Sequence, residues 1–438
     1  MVTRRDFLKA TAVAGGSMAM KPIKAVATRQ KSSSAYFGVH RFIENHPDAV
    51  FIMRTDVDEK MNSEAKTKAG FDFGNSVFVH SDDGGNPIAD MVAIKPNMKT
   101  GQASSLDKLM GMDTDAWFVG GIIDSIKELG LSGDQFYLRE TNCSADENGE
   151  SKDWPVNGYG EVAEWTGADL RNLSAGISGL PSEAINMTDV PDGVFFNQIP
   201  HLWPVNSPDS FLLNISKFKA HGMGMTLCCK NMQGTVARPN QQFCSGYNTM
   251  KLDSKYYMSD ALKQIKANFD RHVSEIPRWD KPRSSWDWNS GIGMETWATR
   301  TLDNLSTMNF GLSIIEGIYG RDGNGASSGP NPEGNGDNAK GEAWDYMTNV
   351  IIFGKNPIHV DNIGFWLSGH EPGNVGLFHL AMERGMSQYL NPENIPVYLW
   401  YNGTPTLTPL SSFERTPLMT YYLTRDYDGQ TENYWHLI

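Results

Sequence analysis

A chain of 438 residues, 39% hydrophobic and 20% charged, with 43 Gly and 22 Pro, can bury one large core or two smaller ones. That balance argues against disorder and coiled coil, and 38 Lys+Arg against 51 Asp+Glu give a net charge of -13 that opposes long-range attraction to nucleic acid or anionic lipid. No apolar run approaches the ~20 residues needed to span a bilayer, so no integral membrane segment is expected.

The chain starts with a twin-arginine motif, Thr3-Arg4-Arg5-Asp6-Phe7-Leu8-Lys9, followed by a mildly apolar stretch from Ala10 to Met20 and a small-residue cleavage pattern at Ala25-Val26-Ala27. This order predicts a leader over residues 1–27 and export by the twin-arginine translocation machinery to the periplasm or another extracytoplasmic location. The route carries folded proteins, so a cofactor could be loaded before export. No Cys follows the apolar stretch, which argues against a lipid anchor. Cys143, Cys228, Cys229 and Cys244 have no two-residue separation of the zinc or iron–sulfur kind, so a cluster is disfavoured and buried thiols are the preferred reading.

Residues 28–90 form an N-terminal segment leading into a sheet. Met91-Val92-Ala93-Ile94 then reads as a buried strand ending at Lys95-Pro96-Asn97. Val119, Ile122, Ile123, Ile126 and Leu129 recur at helical spacing, with Gly130 placed to stop that helix, and Gln135 to Arg139 reads as a second strand. Strand, helix, strand is the unit of an α/β fold with a mostly parallel or mixed sheet flanked by helices. Residues 142–193 are a Gly/Asn-rich insertion with a helical patch at Tyr159 to Leu170. Strands are expected at Gly193 to Asn197 and Phe211 to Ala220, and a helix from Met225 to Met232. Helices follow at Tyr256 to Val273 and Glu295 to Met308. The strand Leu312 to Ile315 runs into a Gly-rich segment, Gly317 to Gly341, read as a lid, a binding loop or a locally disordered stretch. Asn349 to Phe353 is a further strand, and helices follow at about 359–368 and 374–385. The stretch 398–438 is an aromatic C-terminal extension of β character.

In the strand Asn214 to His221, alternation places Lys217, Lys219 and His221 on one face about 7 Å apart. Such a row is stable when solvated or when held around carboxylates or a bound anion. Gly222 and Gly224 allow close backbone approach, and a helix opening at Thr226 would offer free N–H groups to an anion, with Lys230 one turn on. Lys95, Asn97 and Lys99 follow the carboxyl end of a parallel strand, where open α/β sheets place their ligands. Glu316, Asp322, Asn324, His359 and Asp361 offer ligands that suit Mg²⁺, Ca²⁺ or Mn²⁺, with acidic side chains merely solvated as the bland alternative. His359 and Asp361 share a site only on an extended segment. No nucleophile elbow is present. Trp286, Trp288 and Trp297 could stack on sugar rings but fit core positions better.

Together these residues resemble the domain of unknown function 362 family, from about Val92 to Val397. The resemblance rests on Ile94-Lys95-Pro96-Asn97, Gly121-Ile122-Ile123-Asp124, Lys217-Phe218-Lys219-Ala220-His221, Lys230-Asn231-Met232-Gln233-Gly234 and the Glu316-to-Gly325 loop before Asp361. It implies an α/β domain with a pocket built from these lysines, the histidine and the acids, and no assigned reaction. Some family members carry iron–sulfur segments, which this chain lacks, and Asn356 stands where an Asp is usual, leaving Asp361 as the matched acid.

The expectation is therefore an exported α/β protein whose pocket takes a small anionic ligand through Lys95, Asn97, Lys217, Lys230 and Asn231. His221 would act as acid or base, Lys219 would stabilise negative charge, and Asp322 and Asp361 would hold a divalent metal if one is used. The rival is a non-catalytic cell-envelope protein that holds a glycan or protein partner through its aromatic segments.

Overall fold

The computed structural model describes residues 37–80, 86–87, 91–98, 107, 110–140, 157–172, 184–221, 224–237, 260–275, 291–323, 329 and 343–420. In chain order the strands are β1 (Phe37–Val39), β2 (Val50–Arg54), β3 (Phe78–His80), β4 (Asn86–Pro87), β5 (Met91–Pro96), β6 (Phe136–Glu140), β7 (Asp169–Asn172), β8 (Ile185–Asp189), β9 (Gln198–Leu202), β10 (Ser210–His221), β11 (Gly224–Thr226), β12 (Phe310–Arg321), β13 (Asp345–Gly354), β14 (Val397–Tyr401) and β15 (Thr404–Leu407). The α-helices are α1 (Arg41–Glu44), α2 (Ser63–Val77), α3 (Ala116–Glu128), α4 (Tyr159–Thr166), α5 (Cys228–Asn231), α6 (Asp260–Glu275), α7 (Gly291–Leu305), α8 (Pro357–Leu367) and α9 (Gly376–Glu383).

The main sheet has ten strands in the order β15-β14-β2-β13-β12-β10-β5-β6-β7, with β11 folded back on β10. From β12 through β10, β5, β6 and β7 all pairings are parallel, whereas β13 runs antiparallel to both β12 and β2. The sheet is mixed and the fold is α/β. Strand β10 is buried along its length except at His221, as expected of a central strand covered on both faces.

Alternation along the strands sorts their apolar side chains into separate layers. Val92, Ile94, Leu213, Ile215 and Ile314 pack with Phe73, Phe118, Ile122 and Tyr159 from α2, α3 and α4. Ala93, Leu212, Phe218 and Ile315 pack on the other face with Cys228, Trp297, Leu302, Ile363 and Phe378 from α5, α7, α8 and α9. Helices α2 and α3 meet at glycines. A Cβ on Gly121 would lie 2.1 Å from the Thr67 carbonyl oxygen, and one on Gly70 would lie 2.0 Å from that of Phe118. Gly121→Ala should therefore push the helices apart and destabilise the protein by about 1–3 kcal/mol in urea unfolding. A wild-type midpoint would contradict so close a crossing.

Several sequence expectations change in the structure. The helix beginning at Tyr159 stops at Thr166 because Gly167 turns at φ 81°, and Asp169–Asn172 adds a parallel edge strand to β6. Residues 193–197 form no strand, since the Val194, Phe195 and Phe196 N–H groups donate to the buried Asp303 carboxylate instead of a neighbouring strand. The segment from Gly224 is first strand and only then helix. Residues 317–321 extend β12, so the Gly-rich run begins as sheet. Trp297 is buried in the core, whereas Lys99, Cys143, Cys244, Trp286, Trp288, Asn324 and residues 421–438 lie outside the described residues. Gly130, at φ 109°, follows α3 as expected. Among the described residues no helix is long and apolar enough to cross a membrane.

Candidate functional site

From β5 the chain proceeds to β6 and β7 on one side of the sheet, then comes back to add β10 on the other side of β5. The carboxyl ends of β5 and β10 thus flank the point where the connections diverge, which is where open α/β sheets leave a crevice. Buried charges concentrate there. Lys66, Lys95, Lys217 and Lys219 are each at most 4% exposed, as are Asp113, Asp115, Glu140 and Glu316. Burying ions costs several kcal/mol apiece unless each is paired and hydrogen-bonded.

Lys95, in register with Asn214, directs its ammonium to Glu140 Oε2 at 2.7 Å and Asn231 Oδ1 at 3.0 Å. The Glu140 carboxylate, at the end of β6, also accepts from the Met98 N–H. Asn231 Nδ2 donates to the Lys95 carbonyl at 2.9 Å and to Asn214 Oδ1 at 2.8 Å, while Asn97 Nδ2 donates to Asn231 Oδ1 at 3.0 Å. Gly234 closes over this group. A Cβ there would sit 2.2 Å from Glu140 Oε1 and 2.9 Å from Lys95 Nζ, so the Gly in Gln233-Gly234 reflects close approach to the ion pair. The structure therefore brings together Lys95, Asn97 and Asn231 of the five residues expected to line one pocket.

Lys217 belongs to a different group. It is in register with Glu316 on β12 and donates to both carboxylate oxygens, at 3.0 and 2.8 Å, with Nζ 3.7 Å from the centroid of the Tyr319 ring. Glu316 also accepts from the backbone N–H groups of Asp115 and Ile318. Burial pushes the Glu316 carboxyl up, against the lowering influence of Lys217. Asp115 caps α3 through Oδ1, and its Oδ2 meets Lys66 Nζ at 2.9 Å and the Tyr319 hydroxyl at 3.3 Å. Side-chain alternation sends Lys217 and Glu316 to the face of Leu213, Ile215 and Ile314, and Lys95 and Asn214 to the face of Cys228. Lys95 and Lys217, expected to converge in one pocket, thus belong to two ion-pair groups on opposite faces of one sheet edge. They meet at Thr114, whose hydroxyl accepts from the Asn97 N–H at 2.9 Å and donates to the Ile215 carbonyl, one residue before Asp115.

Lys219 follows a register shift in the β10–β12 pairing and donates to the Met112 carbonyl, two residues before Thr114. It pairs with Thr226 of β11, and half-buried His221 pairs with Gly224. Lys230 is half-buried on α5. The helix N-terminus expected to receive an anionic ligand is occupied instead by a carboxyl group of the chain itself. Asp361 Oδ1 accepts from the Cys228 N–H at 2.7 Å and Oδ2 from the Cys229 N–H at 2.8 Å. Burial pushes this carboxyl up to about 7, and burial together with Asp361 pushes both thiols up. Asp322 accepts instead from the Trp344 N–H at 2.6 Å and the Tyr346 hydroxyl at 3.1 Å, with its carboxyl raised by burial. Asp322 and Asp361 share no partner among these contacts. His359, on the same helix as Asp361, turns to the Asp48 carbonyl and Ser387. Among the described residues no three His, Cys, Asp or Glu side chains group to hold a metal ion.

Lys66, Asp113, Asp115, Glu140 and Tyr319 were not read as site residues from sequence. Glu140 carried the same signal as Lys95, a polar residue closing a parallel strand, and Asp115 carried that of a helix cap. Lys66 had no signal, since its burial depends on how α2 lies against α3.

A family model described as domain of unknown function (DUF362) matches residues 92–365, and the chain belongs to that family. The match spans β5 to α8 and so contains both ion-pair groups except Lys66. No curated protein and no solved structure matches the chain.

Proposed function

We propose that the carboxyl edge of β5 and β10 is the binding site for a small anionic ligand in an exported protein. Lys219 would receive the anion and His221 would serve as acid or base in any chemistry performed there. The observation that supports this reading most is the concentration of buried, ion-paired lysines and carboxylates at the divergence of the chain connections. Their desolvation is costly, and a fold that places so many buried ion pairs at the carboxyl edge of its sheet does so where open α/β sheets hold their ligands. The groups are rigid before any ligand arrives, since each ammonium already has its partners, so binding would require little reorganisation. The reading carries no required metal, because Asp322 and Asp361 are both engaged by the chain.

A panel of small carboxylates and inorganic phosphate, followed by thermal shift and calorimetry, tests the proposal. At least one anion should raise the melting temperature of the wild type. Lys219→Ala should weaken that anion about 10- to 100-fold, the scale of one lost charged hydrogen bond, while its circular dichroism stays native. Unchanged affinity in a folded Lys219→Ala protein, or no response to any anion, would overturn the assignment. A second reading, a cell-envelope protein that holds a glycan or a partner, draws on exposed Tyr401 and Leu407 of the β14–β15 hairpin. Binding of glycan by the wild type and not by Tyr401→Ala would favour it.

A further inference from the structure

We propose that the ligand of this edge carries a hydrogen-bond donor beside its acid group, as a hydroxy acid or an amino acid does, and that Asn97 Oδ1 receives that donor. The inference rests on the site proposed above and adds the ligand's chemical class. A lysine ammonium can only donate, so the Asn231 atom that meets Lys95 Nζ at 3.0 Å is its oxygen. The Asn97 atom that meets this same oxygen at 3.0 Å must then be Nδ2. The other end of the Asn97 amide is consequently an acceptor, fixed in identity by the lysine two residues earlier. Asn97 is 8% exposed, and among the described residues its Oδ1 has no hydrogen-bond partner. A buried carbonyl left without a donor forfeits its hydration without compensation, and a bare anion cannot supply the donor.

The arrangement around Asn97 indicates a small ligand. Its backbone carbonyl accepts from the Thr114 N–H at 2.8 Å, and Lys219 donates to the Met112 carbonyl, so both residues border the short segment Met112 to Thr114. A molecule whose acid and donor sit on adjacent or nearby carbons would place one group toward Lys219 and the other toward Asn97 Oδ1. The side of the edge with Asn97 would then read the donor, and the lysine the charge.

Succinate, malate and aspartate test this, because they share a carbon skeleton and differ at one carbon by hydrogen, hydroxyl or ammonium. Calorimetry on the full protein should show malate, aspartate or both binding at least about tenfold tighter than succinate, and which one leads identifies the donor. Asn97→Leu should abolish the preference, so that the formerly preferred acid and succinate bind the variant with the same affinity. Equal affinities for the three acids in the wild type would overturn this inference and leave the site standing. A preference that survives in folded Asn97→Leu protein would do the same. Binding of none of the three, with phosphate or another anion binding in a Lys219-dependent manner, would also overturn it. No anion binding at all would remove the site and the inference together. Should Asn97→Leu fail to fold, the wild-type comparison alone decides.

Discussion

Lys217→Met is expected to destabilise the protein by about 3–5 kcal/mol, a large part of the stability of an ordinary domain. The pair it breaks is fully buried on both sides, with Lys217 and Glu316 each at 0% exposure. Removing the ammonium leaves a carboxylate whose other partners are two backbone N–H groups, and burial already raises that carboxyl. The variant should recover part of the loss at low pH, where Glu316 takes a proton. The double variant Lys217→Met with Glu316→Leu should recover more, because a buried ion pair is often replaced by apolar residues of similar volume at small cost. Urea unfolding of the wild type, the single variant and the double variant measures both effects. A single variant as stable as the wild type would mean that the pair is not closed to water, and the account of a preorganised edge would fail with it.

The second large effect is on pH. The Asp361 carboxyl is raised to about 7 by burial, whereas in the unfolded chain it titrates near the ordinary value of about 3.9. Between those values the folded protein binds the extra proton, so stability falls as pH rises from about 4 to about 7 and levels off above that. At ~1.4 kcal/mol per unit the fall is on the order of 4 kcal/mol. Glu316, Asp303 and Asp322, also raised by burial, contribute with the same sign. Asp361→Asn removes the titrating group while leaving one oxygen to accept from the Cys228 or Cys229 N–H. Its melting temperature should therefore vary much less than that of the wild type between pH 5 and pH 8. Wild-type stability that increases over this interval, or an Asp361→Asn profile parallel to the wild type, would contradict a neutral Asp361 in the folded state.

Much of the architecture could be read from the chain because the apolar periodicities are strong and their punctuation is local. Val92 to Ile94, the α3 pattern ending at Gly130, and Phe211 to Ala220 each carry their own signal. The failures came where tertiary partners decide. Residues 194–196 look like a strand, yet their N–H groups go to Asp303, a carboxylate more than a hundred positions away in sequence. The Met225 to Met232 stretch has a helical stripe, but β10 captures its first residues as a return strand. At the site, Lys95, Asn97 and Asn231 could be found because they close a strand and a short helix at the sheet edge. Their separation from Lys217 could not, since the face on which each lysine emerges depends on register with β12 and β5. Asp361 shows the limit most clearly: sequence can mark an acid near a helix N-terminus only when both are local, and here α8 brings it to α5 across 132 positions.

The most direct test of the central claim is a crystal structure of the protein soaked in the anion that gives the largest thermal shift. The account predicts density for that molecule at the carboxyl ends of β5 and β10, within hydrogen-bond reach of Lys219 and Asn97 Oδ1, with the Lys95–Glu140 and Lys217–Glu316 pairs unmoved. Density for the anion at any other place, or an edge closed by the chain's own side chains with a donor already on Asn97 Oδ1, would contradict it.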